Sequence, residues 1–304
     1  MTSLRVAHFS DTHVLSLEGV RARRFLNKRW TGAVNLALNR ARHYRVEVFE
    51  ALLEAVVAQA PDHVICTGDL VNLALEPEFV RVAGMLRGAF RPDQLTVVPG
   101  NHDAYARDAV VEGLFERYFG DFQPDDLGVA GPRYPVTRVL PGLLIVGLST
   151  AIPTPVFMAS GRLGAEQVEA MTAAFHADAA TDRFRLLMLH HPLLPDPEQR
   201  LDVMRRLGDA SALIGALRAL GPRAPQLVVH GHNHAFKSQR LPGAAMPLVQ
   251  VASASRFGGR HAAEFNVYVV QDGALTAIER HRHDPQTGRF VPRDPDGVAL
   301  AQGA

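Results

Sequence analysis

The sequence predicts an α/β fold, and three observations predict it. Short apolar runs of strand length alternate with stretches of helical periodicity. Five of those runs end in a block of Asp, His or Asn, and the C-terminal part closes with strands joined by the turn Asp272-Gly273. In open α/β sheets ligands gather at the carboxyl ends of strands, so polar blocks that follow apolar runs mark where the chemistry belongs.

Taken in order, Leu4–Ser10 reads as the first strand. Val46–Gln59 reads as a helix, with Val46, Phe49, Leu53, Val56 and Val57 at helical spacing, and His63–Thr67 as the next strand. A helix from about Pro77 to Ala89 leads into Leu95-Thr96-Val97-Val98, where Pro99-Gly100 turns the chain abruptly. Ala104 to Phe119 is expected to be helical, and Gly120 to Pro132 a polar loop. Tyr134–Val139 and Leu143–Leu148 read as antiparallel strands joined by Pro141-Gly142. Ala165–His176 is helical, Phe184–Leu189 a strand, and Val203–Leu220 a helix weakened at Gly208 and Gly215. Leu227–Val229, Pro247–Ala252, Phe265–Gln271 and Ala274–His281 supply the remaining strands, the last two forming a hairpin. Residues 1–283 are expected to form a single domain and residues 284–304, rich in Pro, Asp and Gly, a loose tail.

A chain of 304 residues can bury a large core, and 47% hydrophobic with 21% charged residues is ordinary for a soluble globular protein. The single cysteine, Cys66, excludes a disulfide framework and reads as a small buried hydrophobe. The N-terminal run Met1 to Ala7 leads straight into the first polar block, leaving no room for a cleavable signal, and no apolar run approaches a bilayer span. A cytoplasmic protein is expected, with peripheral membrane contact open. The net charge of +1 gives no strong nucleic-acid signal.

The five polar blocks are Asp11-Thr12-His13, Gly68-Asp69, Gly100-Asn101-His102-Asp103, His190-His191-Pro192 and Gly231-His232-Asn233-His234. Five converging strand ends of this composition can hold two metal ions. Two cations about 3.5–4 Å apart clamp the attacking and leaving oxygens of an in-line displacement at phosphorus. Asp69 is the candidate to bridge them, because Gly68 lets the backbone turn closely beside it. Asp11 and His13, two apart on an expected extended segment, face the same way, and His232 and His234 repeat that spacing. Either His190 or His191 serves the fourth block, with His190, two before Pro192, favoured. His8 and His230 read as structural strand residues.

On these blocks the chain resembles the calcineurin-like metallophosphoesterase superfamily, whose pattern is Asp-x-His, Gly-Asp, Gly-Asn-His-(Asp/Glu), His and Gly-His-x-His. The resemblance runs from about residue 4 to about residue 270. It implies a four-layer α-β-β-α sandwich of two mixed sheets with a dinuclear metal site at the strand ends. It further implies that Asp11, His13, Asp69 and His234 hold one ion and Asp69, Asn101, His190 and His232 the other. His102 is then no ligand but the group that meets the leaving-group oxygen, and Asp103 a carboxylate that orients it. The ions implied are divalent or mixed-valence Mn, Fe or Zn, since nitrogen and oxygen donors do not choose among them. The activity implied is hydrolysis of a phosphate ester, a P–O bond attacked by a metal-bound hydroxide.

Departures from the pattern narrow the subfamily. Purple acid phosphatases place a tyrosine ligand where this chain has Asn72, and protein Ser/Thr phosphatases end the third block in Glu where this chain has Asp103. What remains looks like the bacterial phosphodiesterase branch, with phosphomonoesterase or lipid-linked pyrophosphate hydrolase as alternatives. The same fold also serves as a non-catalytic trafficking scaffold with a degenerate metal site, but here no ligand is lost.

Between Val20 and Arg45 lie Arg21, Arg23, Arg24, Lys28, Arg29, Arg40, Arg42 and Arg45 without an acidic residue. Leu26, Trp30, Ala33, Ala37 and Ala41 fall on one helical face, with Phe25, Val34 and Leu38 alongside. This basic amphipathic insert, about residues 14–45, follows the first block and is expected near the mouth of the site. It reads as a solvated helix on the body, as a lid whose arginines attract a phosphate substrate, or as an interfacial helix touching anionic lipid through Trp30 and Phe25.

Overall fold

The structure, a computed structural model, describes residues 3–25, 28–30, 44–129, 131, 133–178, 182–196 and 202–293. Two six-stranded sheets make up its centre. In the first, β1 (Ser3–Phe9), β2 (His63–Cys66) and β3 (Leu95–Val97) run parallel. On the far side of β1 lie β10 (Glu264–Gln271), β11 (Ala274–Asp284) and β12 (Arg289–Pro292), all antiparallel to their neighbours. The second sheet has β5 (Leu143–Gly147), β6 (Phe184–Met188), β7 (Leu227–His230) and β9 (Pro247–Gln250) in parallel. β4 (Val136–Leu140) and β8 (Lys237–Arg240) are its antiparallel edges.

Strand alternation explains the layers. Val6, Ile65, Ile145, Leu186, Val229, Val249 and Tyr268 meet in one core between the sheets. Their neighbours Ala7, Phe9, Val64 and Cys66 turn outward onto α1 (Val46–Ala58) and α2 (Glu76–Ala89). The same cluster takes in α3 (Arg107–Val111) and α4 (Leu114–Phe119). On the other face Val146, Leu187 and Val228 pack against α5 (Ala165–Ala177) and α6 (Ala210–Ala219). Side chains on a strand alternate between faces, so both sheets are apolar on both sides and need helices outside. The result is the expected four-layer α-β-β-α arrangement of two mixed sheets.

Several boundaries differ from the sequence reading. The helix expected over Ala104 to Phe119 is two short ones, because Gly113 adopts φ 61° between them. The helix expected from Val203 begins only at Ala210; a 3₁₀ turn over Asp202–Met204 and Gly208 precede it. β8 is polar and mostly exposed, and its sequence carries no strand signal. The tail expected to be loose from Asp284 instead pairs as β12, Asp284 facing Arg289 across the ladder; residues 294–304 lie outside the described residues.

Most of the amphipathic insert, residues 26–27 and 31–43, also lies outside them. Its described residues are tied to the body. Arg29 is buried, donating to the Leu73 and Ala74 carbonyls and to Asp108, and Arg24 pairs with Asp108 and Glu112. Phe25 packs on Leu73 and Leu75, whereas Trp30 is exposed. Among the described residues no helix is long and apolar enough to cross a membrane.

Buried neutral histidines make stability depend on pH. Burial, aided by the Arg138 charge, lowers the His63 pKa to about 3 against a small opposing effect of Asp93. Between about pH 6.5 and 3 the unfolded chain therefore binds a proton here that the folded chain does not, so this contribution to stability falls as pH falls. His63→Leu removes it. The stability of His63→Leu relative to wild type is expected to shift by about 1 kcal/mol in the variant's favour between pH 7.5 and 5.5. Urea unfolding at both values checks this, and an unchanged difference would show that His63 does not titrate out of phase.

Candidate metal centre

Each predicted block leaves the carboxyl end of a strand. Asp11 and His13 follow β1, Asp69 follows β2, Asn101 follows β3, His190 follows β6, and His232 with His234 follow β7. The first three come from one sheet and the last two from the other, so the centre lies across the top of both. Two groups of ligand atoms result, each within 4.8 Å of one another: Asp11, His13, Asp69 and His234, and Asp69, His190 and His232. Asp69 belongs to both. Asn101 joins the second, its Oδ1 3.2 Å from His190 Nε2.

The backbone bends hard to achieve this. Asp11, His13, Asp69, His232 and His234 all have positive φ, from 45° to 79°. Left-handed conformations cost non-glycine residues on the order of 1–2 kcal/mol each, and such strain gathers where surrounding structure enforces it. The expected extended segment at Asp11–His13 is thus corrected: both residues are left-handed. The enforcing contacts are plain. Asp11 N–H donates to the Gly68 carbonyl at 2.9 Å and His13 N–H to the Asp69 carbonyl at 3.0 Å. Thr12 Oγ1 donates to the Leu70 carbonyl, and the Ser253 and Ser255 hydroxyls donate to the carbonyls of Asp11 and Thr12. Gly231 leaves space that no side chain could share, since a Cβ there would stand 2.5 Å from Asp11 Oδ2.

The donor atoms suit a cation. His190 Nδ1 meets the Thr67 carbonyl at 2.7 Å, a partner that only accepts, so Nδ1 carries a proton, and in the neutral ring that a metal requires the lone pair is left at Nε2. That lone pair faces Asn101 Oδ1, His232 Nδ1 at 3.2 Å and Asp69 Oδ2 at 3.4 Å. In the other group His13 Nε2 and His234 Nε2 stand 3.0 Å apart, with Asp11 Oδ1 3.1 Å from the latter. Acceptors crowded this closely require positive charge among them. Burial opposes ionisation of Asp69, but His190, His102 and His13 outweigh it and hold the carboxyl well below the usual range. Burial likewise opposes charge on His190, yet Asp69 and Asp11 lift it to about 9. A proton meets part of this demand; a divalent ion meets it in full.

The adjacent histidines differ in their partners. His191 Nδ1 pairs with Thr150 Oγ1 at 2.7 Å and Nε2 donates to the Ala159 carbonyl at 3.0 Å, so both nitrogens face away from the cluster. His102, itself buried, lies edge-on to His13 and stacked on Tyr105. Its Nδ1 donates to the Asn72 carbonyl at 2.6 Å. Asp103 was expected to orient that ring, and the geometry differs: its carboxylate accepts the N–H groups of Val71 and Gly100. Asp103 therefore braces the two loops that carry Asp69 and Asn101, while a backbone carbonyl orients His102. Burial and the neighbouring Asp69 charge raise the Asp103 pKa to about 7.

Sequence reasoning passed over Tyr44 and Tyr105 and placed Lys28 only as one charge of the basic insert. Tyr44, at the end of the insert, places its hydroxyl 2.8 Å from His234 Nδ1. Tyr105 stacks on His102, and Lys28 lies 4.5 Å above the Tyr105 ring while donating to Thr154 Oγ1 and the Met158 carbonyl. None sits in a recognisable motif; only nearness to one gives a signal. His8 is structural as expected, held by Tyr268 and Thr67, and Cys66 is buried. A cavity of about 780 Å³, lined by Arg185, Pro222 and Met246, lies at the amino ends of β6, β7 and β9, away from the centre.

A search of solved structures found matches at low identity. A purple acid phosphatase, PPD1, from yellow lupin (Lupinus luteus) matches with TM-score 0.58 and 11% identity over 96% of this chain and 53% of that one. The chain thus spans about half the length of the lupin protein. TT1561 of Thermus thermophilus matches with TM-score 0.47 and 12% identity over 96% of this chain and 99% of that one. Vps29 of Entamoeba histolytica, in a structure complexed with zinc, matches with TM-score 0.41 and 13% identity over 98% and 99%. Comparison with curated proteins found no match. The family model for calcineurin-like phosphoesterases matches residues 4–236. That span takes in every one of the converging blocks, and the chain belongs to the calcineurin-like phosphoesterase family.

Proposed function

We propose that the chain is a metal-dependent phosphoesterase that holds two ions and acts on phosphodiesters in preference to monoesters. The observation that carries the reading is the membership of Asp69 in both ligand groups. Asp11, His13 and His234 complete one site; Asn101, His190 and His232 complete the other. The N/O donor set suits Mn, Fe or Zn. When bound, such ions supply Lewis acidity toward phosphoryl oxygens and toward water.

The remaining work falls to the chain's own residues. With Nδ1 committed to the Asn72 carbonyl, Nε2 is the nitrogen through which a protonated His102 would give its proton to a departing alkoxide. Tyr105 and His13 fix the plane of that ring. Burial of the ligand cluster excludes bulk water and strengthens each interaction inside it. Asn72 and Asp103, which depart from the monoesterase patterns, support the diesterase preference.

Metal-loaded protein is expected to cleave bis-p-nitrophenyl phosphate with a higher kcat/KM than p-nitrophenyl phosphate; the reverse order overturns the diesterase preference. His102→Ala is expected to retain wild-type metal content and lose about 10²–10³ in turnover, the usual cost of one electrostatic contact to developing charge. Elemental analysis and steady-state kinetics on the same sample check both halves. Full turnover in that variant would remove His102 from the reaction.

A further inference from the structure

A second site adjoins the metal centre. A cavity of about 640 Å³ opens beside Tyr44, the residue whose hydroxyl meets His234 Nδ1, and is lined by Arg45, Arg81, Phe257, His283 and the first turn of α1. Tyr44 is therefore a wall common to the cavity and the cluster.

Four features of the lining favour an anion. The 13-residue helix α1 begins here with Arg45 at its N-cap and no side chain capping it, so the positive end of its dipole is not met by a side chain from the cap. The Arg45 guanidinium lies 3.6 Å over the Phe257 ring, which holds its charge in place at the cavity edge. Arg81 stands on the same lining and donates to the Leu15 carbonyl at 3.4 Å. Neither arginine has a carboxylate partner among the described residues. His283 is only 4% exposed, and its Nδ1 is buried without a hydrogen-bond partner among them. Polar atoms so placed are the exception in protein interiors, and a bound ligand is one explanation of them. Glu47, exposed on the same helical turn, is the one acidic side chain among the described lining residues.

We propose that this cavity binds a second phosphoryl group, the one on the substrate arm that is not cleaved. The proposal rests on the phosphoesterase reading for the identity of its ligand and on the lining alone for its chemistry. A phosphoryl group offers several acceptor oxygens to two guanidinium groups and a helix N-terminus. The cavity is far larger than one phosphate, and Phe257 and Val46 give the organic part of the arm an apolar surface.

Two measurements test it, and they fail separately. Phenyl phosphate is titrated calorimetrically, in the presence of chelator, into full-length Asp69→Asn protein, so that no ion remains in the cluster, with and without Arg45→Gln and Arg81→Gln. Binding is expected in Asp69→Asn and is expected to weaken by about tenfold or more when the arginines are changed. No binding in Asp69→Asn, or an affinity insensitive to the arginines, overturns the subsite whatever the enzyme's activity. The second measurement compares thymidine 5′-(p-nitrophenyl phosphate) with its 3′-phosphorylated form on metal-loaded protein. Arg45→Gln/Arg81→Gln is expected to raise KM about tenfold for the 3′-phosphorylated ester only, with kcat unchanged. A variant that loses phenyl phosphate yet treats both esters alike identifies a free phosphate ligand and overturns the substrate-arm assignment. If wild type cleaves neither ester, the phosphoesterase reading and the substrate-arm assignment both fall, and the titration alone still decides whether the cavity is an anion site.

Discussion

Asp69→Asn is expected to lower metal uptake from two ions per chain to one or none and to reduce turnover by about 10³-fold or more. The substitution is nearly isosteric, so the fold has little to repack. The amide oxygen can still accept the His102 N–H, now received by Asp69 Oδ1 at 2.6 Å. What changes is the other end. Oδ2 lies 3.8 Å from His13 Nε2 and 3.4 Å from His190 Nε2, one contact in each ligand group. Replacing it with an NH₂ sets a donor where the proposed ions would bind and removes the charge that raises the His190 pKa. A metal bound only by the folded state stabilises it by about 4 kcal/mol at a thousandfold excess over Kd. The rise in melting temperature on adding Mn²⁺ or Zn²⁺ to chelated wild-type protein should therefore largely disappear in the variant. Two ions per chain in Asp69→Asn, by elemental analysis, would show that the carboxylate does not bridge.

The site was more legible than the loops that build it. Asp11, His13, Asp69, Asn101, His190, His232 and His234 stand out because metal chemistry restricts residue type and strand ends restrict position, and both restrictions leave marks in sequence order. All seven lie in one cluster. The backbone conformation at Asp11 and His13 left no such mark: an Asp-x-His run looks extended, and its left-handed form is held by hydrogen bonds to the Gly68 and Asp69 carbonyls and from the Ser253 and Ser255 hydroxyls. Asp103 misled for a related reason. Its neighbour in sequence is His102, but its hydrogen bonds go to Val71 and Gly100.

In the fold, apolar periodicity located the buried strands and the longer helices, since burial imposes it. It was silent for β8 and β12, which lie at sheet edges, one face or both in water, with sequences that polar loops share. Gly113 split a helix that periodicity alone would run through. The basic insert shows the same limit. Its charge pattern left a solvated helix, a phosphate lid and a lipid contact all open, and Arg29 is spent on buried carbonyls and Asp108. Charge counted along a sequence does not say which residues face water.

The conformational demands of the centre predict a second large effect, on stability. Gly68 has φ 94°, and a Cβ placed on it would stand 2.2 Å from the Gly100 nitrogen and 2.6 Å from the Pro99 carbonyl carbon. Both are backbone atoms, so no side chain can swing aside. Gly100 in turn has no room, since its own Cβ would meet Asp69 Oδ1 at 2.3 Å. The loops after β2 and β3 are therefore pressed together at two glycines, and Gly68→Ala must part them. Overpacking costs about 1–3 kcal/mol and an unfavourable φ adds a similar amount, so a loss of about 3 kcal/mol or more is expected. Gly84, within α2, meets nothing within 4 Å, and Gly84→Ala should stabilise by about 0.5–1 kcal/mol through helix propensity alone. Thermal melts of the chelated proteins separate this effect from metal binding, and Gly68→Ala should also bind metal less well because Asp69 moves with its neighbour. A Gly68→Ala protein that melts with wild type would mean that the two loops are not in contact, and the geometry that brings Asp69 between both ligand groups would go with them.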